Sequence, residues 1–400
     1  MTTNFSSWPS FRESEKQAVL DVLDSNKVNY WTGQKGREFE KEFASFSDCQ
    51  HAIAVANGTV ALDLCWQALF RLEEGLKPGD EVIVTSRTFL ASVSSIVLAG
   101  LVPVFADVEL DSQNVSLATI KAVVTDKTRA ILCVHLGGWP CDMPEIMEFA
   151  DQKNLFVVED CAQAHGAKIN GQSVGSFGHM AAWSFCQDKI MTTAGEGGMV
   201  TTNNEKLWNF AWSFKDHGKA WDTVYNKPHP PGFRWLHESF GTNWRMTEMQ
   251  AAVGLEQLKV MSEWTAKRNE NAKRILDTAS QFDALEVSLP KAGVLHAYYK
   301  CYVNVKSEQL AKGWSRDRII QEIVERGVPC FSGSCSEVYL EKAFDGTDFR
   351  PEKPLPNARE LGNSSIMFLV HPTLTSAEID LTVSVLESVM KKAVTNVAIS

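Results

Sequence analysis

Residues 183–202 read WSFCQDKIMTTAGEGGMVTT, and one lysine, Lys189, stands there between an apolar patch and a run of Thr, Ala and Gly. A solvated loop lysine is one reading, the usual one for any lysine. The other is a Schiff-base lysine, an amine partly desolvated so that it is nucleophilic near neutral pH. The glycines that follow fit the second reading, because they let a flat ring approach the backbone. Upstream, LFVVED (155–160) ends on Glu159 and Asp160, and an acidic pair closing an apolar strand is costly unless its charge finds a partner. Successive strand residues face opposite ways, so only one of the two should enter a site. A cap on the next turn would also account for Asp160. In NGTVAL (57–62), Gly58 and Thr59 open a helix whose free N–H groups suit a phosphate, although an ordinary turn and cap would read the same. Ser184 lies five residues before Lys189 and could offer the same phosphate a hydroxyl.

Each of these signals is weak alone, and their combination is specific. A phosphate site, a carboxylate for a pyridinium nitrogen and an amine for an aldehyde are the three handles that pyridoxal 5'-phosphate needs. Competing chemistries lack their signatures. No G-x-G-x-x-G follows a strand, and GEGG at 195–198 has the wrong spacing for a dinucleotide. The nine histidines form no H-E-x-x-H or similar pairing, so no metal is expected.

The elements that must carry these residues alternate from Gly58 to about Val200. NGTVALDLCWQALFRL, SVSSIVLAG, ATIKAVV and MPEIMEFADQKN read as helices; EVIVTS, VPVFADV, AILCVHL and LFVVED read as strands between them. AAWSF and GGMVTT read as two more strands flanking Lys189. Short, nearly all-apolar strands alternating with helices predict an α/β fold, with a mostly parallel sheet covered on both faces. Such sheets bind ligands beyond the carboxyl ends of their strands, which is where Asp160 and Ser184 fall. RMTEMQAAVGLEQLKVMSEWTAKRNENAKRIL then reads as one long helix, opened by a Thr247/Gln250 capping box, with Ala251, Leu255, Leu258 and Met261 at helical spacing. HAYYKCYVNV (strand), SRDRIIQEIVERG (helix), SIMFLV (strand) and SAEIDLTVSVLESVMKKAV (helix) predict a smaller α+β domain. The expected division is 1–255, a large coenzyme-binding domain, and 256–400, the small one.

Composition narrows the setting. The 400 residues are 44% hydrophobic with a net charge of −10 and no basic stripe, which argues against a nucleic-acid partner. Nine scattered cysteines without a C-x-x-C pair suit reduced thiols in the cytoplasm. The start, MTTNFSSWPSFRESEK, lacks the pattern of a secretion signal, and the longest apolar stretch, SSIVLAGLVPVFADV, is broken by polar residues and Pro, so no membrane span is expected.

EDCAQAHGA (159–167), GSFGHMAAWSFCQDKIMTTAGEGGMVTTN (175–203), TFLASVSSIVLAGLVPVFADV (88–108) and GTNWRMTEMQAAVGLEQL (241–258) resemble the DegT/DnrJ/EryC1/StrS sugar aminotransferases over nearly the whole chain. The resemblance implies a fold-type I pyridoxal phosphate enzyme. It makes Lys189 the Schiff-base lysine and Asp160 the partner of the pyridine nitrogen. Gln163 would lie near the coenzyme's ring hydroxyl and Phe89 would stack on the ring. Gly58, Thr59 and Ser184 would bind the phosphate. Asn243 would reach that phosphate from a neighbouring subunit, which implies a homodimer with composite active sites. L-Glutamate is the implied amino donor, and ping-pong kinetics the implied order. A dehydratase branch of the family carries histidine at the lysine position, so Lys189 favours transamination here.

The acceptor is less sharply marked. SFCQDKIMTT and PCFSGSCSE resemble the branch that aminates C8 of an oxidised 3-deoxy-octulosonate, giving 8-amino-3,8-dideoxy-manno-octulosonate for lipopolysaccharide. That substrate is expected narrowly ahead of a nucleotide-linked 3-keto or 4-keto hexose. Its carboxylate would need a counter-charge, for which Lys35, Arg87, Arg234 and Arg245 are candidates, each of which also suits a surface or structural role. Some relatives were first described as regulators, so a non-catalytic coenzyme-binding regulator is the reading from another class. The intact Lys189 and Asp160 argue against it.

Overall fold

A computed structural model describes residues 5–394; residues 1–4 and 395–400, the outer ends of the two expected domains, lie outside the described residues. The strands in chain order begin with β1 (His51–Val55), β2 (Glu81–Thr85), β3 (Val102–Ala106), β4 (Thr128–Val134) and β5 (Phe156–Asp160). A short hairpin, β6 (Lys168–Ile169) and β7 (Gln172–Ser173), precedes β8 (Met180–Ser184) and β9 (Gly198–Thr202). Seven of these form one sheet in the order β1-β9-β8-β5-β4-β2-β3. Its pairs from β3 across to β8 are parallel, while β9 runs antiparallel to both β8 and β1.

The sheet is buried on both faces, as its apolar strands require. Val82, Val84, Leu132 and Val158 pack on one side with helices Gly58–Leu69 and Leu90–Leu98. Ile83, Ile131 and Val157 point the other way, against helix Met143–Lys153. Beyond them Ala181, Trp183 and Met199 meet Phe39 and Phe43 of helix Lys35–Phe46. The alternating α/β pattern in the sequence is thus realised. Strand β1 was not foreseen: HAIAV is short, and only its distant antiparallel partner β9 makes it a strand.

A second sheet has its own core. It contains β10 (Leu285–Glu286), β12 (Cys301–Val305), β13 (Cys330–Phe331) and β14 (Ser365–Phe368) in the antiparallel order β10-β12-β14-β13, while β11 (Val294–Leu295) pairs with β6 instead. Helices Met261–Ala279, Arg316–Glu325 and Ser376–Val394 supply the rest of that core, and Phe5 packs onto it from the amino-terminal segment. Residues 338–361 return to the first sheet: Val338 N–H donates to Ser86 O at 2.9 Å, and Asn357 and Ala358 N–H donate to the Asp107 carboxylate.

The long helix expected after residue 246 is two helices, Glu248–Leu258 and Met261–Ala279. The Thr247/Gln250 capping box opens the first. Between them Val260 leaves helical geometry (φ −114°, ψ 8°). Buried Gln257 is pinned by accepting the Thr192 N–H at 2.9 Å, so the first helix stays with the first core, while the second leaves it after Met261 and Trp264 and joins the other core from Ala272 on. One straight axis cannot serve both. The strand expected over HAYYKCYVNV is likewise shorter. Ala297 and Lys300 N–H donate to Gly138 O and Gly137 O, and Tyr298 adopts φ +45°, so pairing starts only at Cys301. Among the described residues no helix is long and apolar enough to cross a membrane.

Candidate active site

The parallel strands end together on one side of the first sheet, and a cavity of about 690 Å³ opens there. Gly58, Thr59, Phe89, Asp160, Gln163, Ser184 and Lys189 all line it; Asn243 does not. Asn243 is exposed and bridged antiparallel to Asp216, outside the cavity lining although its neighbour Trp244 accepts the Ala56 N–H.

Asp160 ends β5 inside the cavity. Its Oδ2 accepts the Ser92 hydroxyl at 2.8 Å and its Oδ1 the Ala162 N–H at 3.1 Å. Ser92 in turn lies 2.9 Å from the Thr88 hydroxyl, which therefore donates to it. Burial raises the Asp160 pKa above the ordinary carboxylate value, against the pull of those two hydrogen bonds and of Lys189. Glu159 faces away, as strand alternation requires. It accepts from His135 Nε2 at 3.0 Å and from the N–H groups of Gly175, Phe177 and Gly178. His135 Nδ1 accepts the Cys141 N–H at 3.0 Å, so the ring's proton sits on Nε2. Among the described residues, His135, Glu159 and Cys161 are the one set close enough to hold a metal. With the carboxylate and ring atoms engaged, the set serves to fix the end of β5.

The helix Gly58–Leu69 starts at the cavity wall. Asn57 caps it by accepting the Val60 N–H at 3.0 Å, and its first turn holds no acidic residue. The N–H groups of Gly58 and Thr59 remain for an anion. A Cβ at Gly58 would stand 2.5 Å from Ser184 Cβ, and one at Gly198 would stand 2.3 Å from Asn57 O. Two glycines thus let the helix start rest on the ends of β8 and β9, with Ser184 beside it. Phe89, 70% exposed, overhangs the cavity at the start of helix Leu90–Leu98. An exposed aromatic ring on a concave wall suits a flat ligand. Gln163 Oε1 accepts the Gly137 N–H at 2.7 Å, which fixes the carbonyl end of that side chain.

Lys189 lies past the end of β8 on a tight turn, its N–H donating to Cys186 O. Its carbonyl accepts Trp8 Nε1–H at 2.8 Å, so the amino-terminal segment holds the lysine's backbone. Its ammonium is 5.3 Å from the centre of the Tyr299 ring. The Tyr299 hydroxyl donates to Asp188. Burial opposes the Asp188 charge, but Lys189, the Tyr299 hydroxyl and Lys300 outweigh it and lower its pKa.

The four suggested counter-charges are elsewhere. Lys35 pairs with Glu38 at 2.8 Å, Arg245 with Asp216 at 2.8 Å, and Arg234 is exposed. Arg87 is fully buried and engaged: Nε donates to Gln113, Nη1 to Ser336 and to Ser334 O, and Nη2 to Ser365. Sequence reasoning missed Thr88, Ser92, Asp188, Tyr299 and Lys300, all of which line the cavity. Asp188 adjoins the lysine and Ser92 follows Thr88 by one helical turn, signals that were available; nothing in HAYYKCYVNV marks Tyr299 or Lys300 as leaving the strand.

The DegT/DnrJ/EryC1/StrS aminotransferase family model matches residues 9–387. The chain belongs to this family. It is 34% identical over 374 residues to the GDP-perosamine synthase of Escherichia coli O157:H7, covering 93% of this chain and 94% of that one. The solved aminotransferase of Psychrobacter cryohalolentis is 60% identical, covers 98% of this chain and 100% of its own, and superposes with a TM-score of 0.95. The Escherichia coli GDP-4-keto-6-deoxy-D-mannose-3-dehydratase, solved with bound hydrated PLP, is 25% identical with a TM-score of 0.85, covering 96% of this chain and 100% of its own. The chain is therefore a fold-type I, pyridoxal phosphate-dependent sugar aminotransferase. The cavity fits that coenzyme: it offers a helix start with two N–H groups left free by its Asn57 cap, a buried carboxylate with a hydrogen-bond support, an amine and an overhanging aromatic ring.

Proposed function

We propose that the enzyme transfers an amino group from L-glutamate to a nucleotide-linked keto-hexose. The observation that carries this reading is the convergence of Lys189, Asp160, Phe89, Gln163 and the Gly58–Thr59–Ser184 edge on one cavity. When bound, pyridoxal phosphate supplies an electron sink for the carbon that loses its proton. The protein's part is to hold and to move protons. The Gly58 and Thr59 N–H groups and the Ser184 hydroxyl hold the phosphate at the helix start. Asp160, kept in place by Ser92 and Ala162, would hold the proton of the ring nitrogen, and that positive charge would oppose the rise that burial imposes on the carboxyl's pKa. Phe89 would offer its exposed ring to the coenzyme's flat ring, and the Gln163 amide NH₂, left free by the Gly137 bond to Oε1, would offer a donor to its hydroxyl. Lys189 takes the proton from the donor carbon and returns it, acting as base and then acid.

Support for a nucleotide-linked acceptor comes from the GDP-sugar relatives and from the placement of Lys35, Arg87, Arg234 and Arg245 away from the cavity. The octulosonate reading loses those four counter-charges, and the nucleotide-linked alternative moves ahead of it. Homodimerisation is supported by exposed Asn243 on a segment that also presents Phe233, Trp235 and Phe240 to solvent. A cytoplasmic setting is supported by nine free cysteines.

Lys189→Ala should abolish amino transfer while the phosphate and ring sites still take up coenzyme; near-normal turnover by that variant would sink the assignment. For the acceptor, 2-oxoglutarate release from L-glutamate beyond one equivalent per site should require a GDP-, UDP- or dTDP-linked 3-keto or 4-keto hexose. Release with the oxidised octulosonate alone would overturn the nucleotide reading.

A further inference from the structure

Lys189 and Lys300 are the two cations lining the cavity among the described residues. Lys300 has no place in the roles above. Its backbone is fixed by donation to Gly137 O, and its ammonium stands 4.5 Å from the centre of the Tyr299 ring, the same ring that lies under Lys189. Among the described residues that ammonium has no hydrogen-bond or ion-pair partner. Asp188, the nearest acid in its surroundings, already takes the Tyr299 hydroxyl. Burial weakens the ammonium's hydration, and the Tyr299 ring and Asp188 compensate this only in part, so an anion entering the cavity would find a ready partner.

We infer that Lys300 is a specificity-determining residue that receives a substrate carboxylate close to the reacting carbon. The inference rests on the amino-transfer function proposed above. Its geometry selects among anions. The carbon that loses its proton must reach Lys189, and an amino acid's α-carboxylate is one bond from that carbon. A cation sharing a ring with Lys189 is placed for such a group. A nucleotide's diphosphate is attached farther along its sugar, and the phosphate of the coenzyme has its own site at the Gly58 helix start. The amino donor is thus the first source of the carboxylate, and a sugar acid the second.

The groups facing Lys300 are Tyr299 beside it in the chain, Asp188 and Lys189 from the turn after β8, Arg268 from helix Met261–Ala279, and His371 after β14. Burial, Arg268 and Lys189 push its pKa down to about 8, and Asp188 only partly opposes them. Its charge is therefore lost as pH rises through about 8, and a carboxylate would then lose its partner.

The test uses the coenzyme-loaded enzyme and follows the two half-reactions separately. In Lys300→Met the KM for L-glutamate should rise about 10- to 100-fold, the loss of one hydrogen bond between charged groups, with the limiting rate little changed. In the wild type that KM should climb above about pH 8, whereas Lys300→Arg, charged throughout, should restore the low KM and hold it to about pH 9. A rise confined to the KM of a sugar-acid acceptor would support the inference with the sugar as source. Unchanged KM values in both half-reactions, or a rise only for nucleotide sugars lacking a carboxylate, would overturn it. A wild type that reacts with no amino acid would strike the proposed function and this inference together; a reactive wild type with an unmoved Lys300→Met variant strikes the inference alone.

Discussion

An extra methyl at Gly58 would meet Ser184 at once: the new Cβ would lie 2.5 Å from Ser184 Cβ, 3.0 Å from its Oγ and 3.1 Å from its Cα. Carbon atoms in contact sit about 3.5–4.0 Å apart, so the helix start and the end of β8 would have to separate by roughly 1 Å. Neither side yields easily. Strand β8 is paired on both edges, by β5 and β9, and its Ser184 lies opposite Gly198, whose own missing Cβ is filled by Asn57 O. Overpacking of this kind costs about 1–3 kcal/mol. If the chain unfolds as one unit, its size makes that a fall of roughly 1–4 °C in Tm. Coenzyme affinity should suffer more. A 1 Å displacement of the Gly58 and Thr59 N–H groups breaks charge-assisted bonds, and losing one weakens binding about 10- to 100-fold. Scanning calorimetry of the apoenzyme and absorbance titration with pyridoxal phosphate would read the two effects. The Gly58→Ala/Ser184→Gly double variant should recover most of the Tm, since the two closest contacts belong to the Ser184 side chain, but not the affinity. Wild-type Tm and affinity in Gly58→Ala would refute this account of the helix start.

Asp160 and Arg87 give two further tests. A carboxyl whose folded pKa is raised contributes stability that is present at low pH and lost as pH rises through the folded value, so Asp160→Asn should flatten the decline of apoenzyme Tm that sets in above about pH 4, while abolishing turnover. An unaltered pH slope would mean that the buried carboxyl is not what titrates. Arg87→Met removes a fully buried guanidinium and leaves Gln113, Ser336 and Ser365 without their donor, which should lower stability by about 2–4 kcal/mol, measurable by denaturant titration. Arg87→Lys should recover little of it, because one ammonium cannot replace the planar fork.

The architecture was legible where burial writes itself into composition. EVIVTS, AILCVHL and LFVVED are nearly all apolar because both faces of their strands are covered, and that alone argues for a parallel sheet. The break at Val260 was not legible, since the periodicity of Ala251, Leu255, Leu258 and Met261 runs through it; the bend is imposed by two separate cores. We keep the division near residue 255 as a proposal, with the return of 338–361 to the first sheet as its qualification. At the site, the residues named from the sequence lie at strand ends and a helix start, positions fixed by local rules. Of those it missed, Thr88, Ser92 and Asp188 are neighbours of named residues, while others arrive by tertiary routes: Trp8 from the amino-terminal segment, and Tyr299 and Lys300 from a stretch bent out of its strand by the turn at Gly137–Gly138.

Basic residues show why the remainder needed three dimensions. Residue type cannot separate Arg87 from Lys300, because both read as bases near apolar strands. Their surroundings separate them. Each of the three guanidinium nitrogens of Arg87 reaches an acceptor inside the protein, so the charge is consumed in holding the 332–336 loop and β14 to the first sheet. The half-buried Lys300 ammonium stands at the cavity wall over an aromatic ring and no protein acceptor takes it among the described residues, so it is open to a ligand anion. A satisfied buried cation is architecture, and an unsatisfied one at a cavity wall is a binding site. On that criterion the charge that selects this enzyme's carboxylate substrate comes from the stretch leading into the second sheet, while the groups proposed to hold the coenzyme come from the ends and connections of the first.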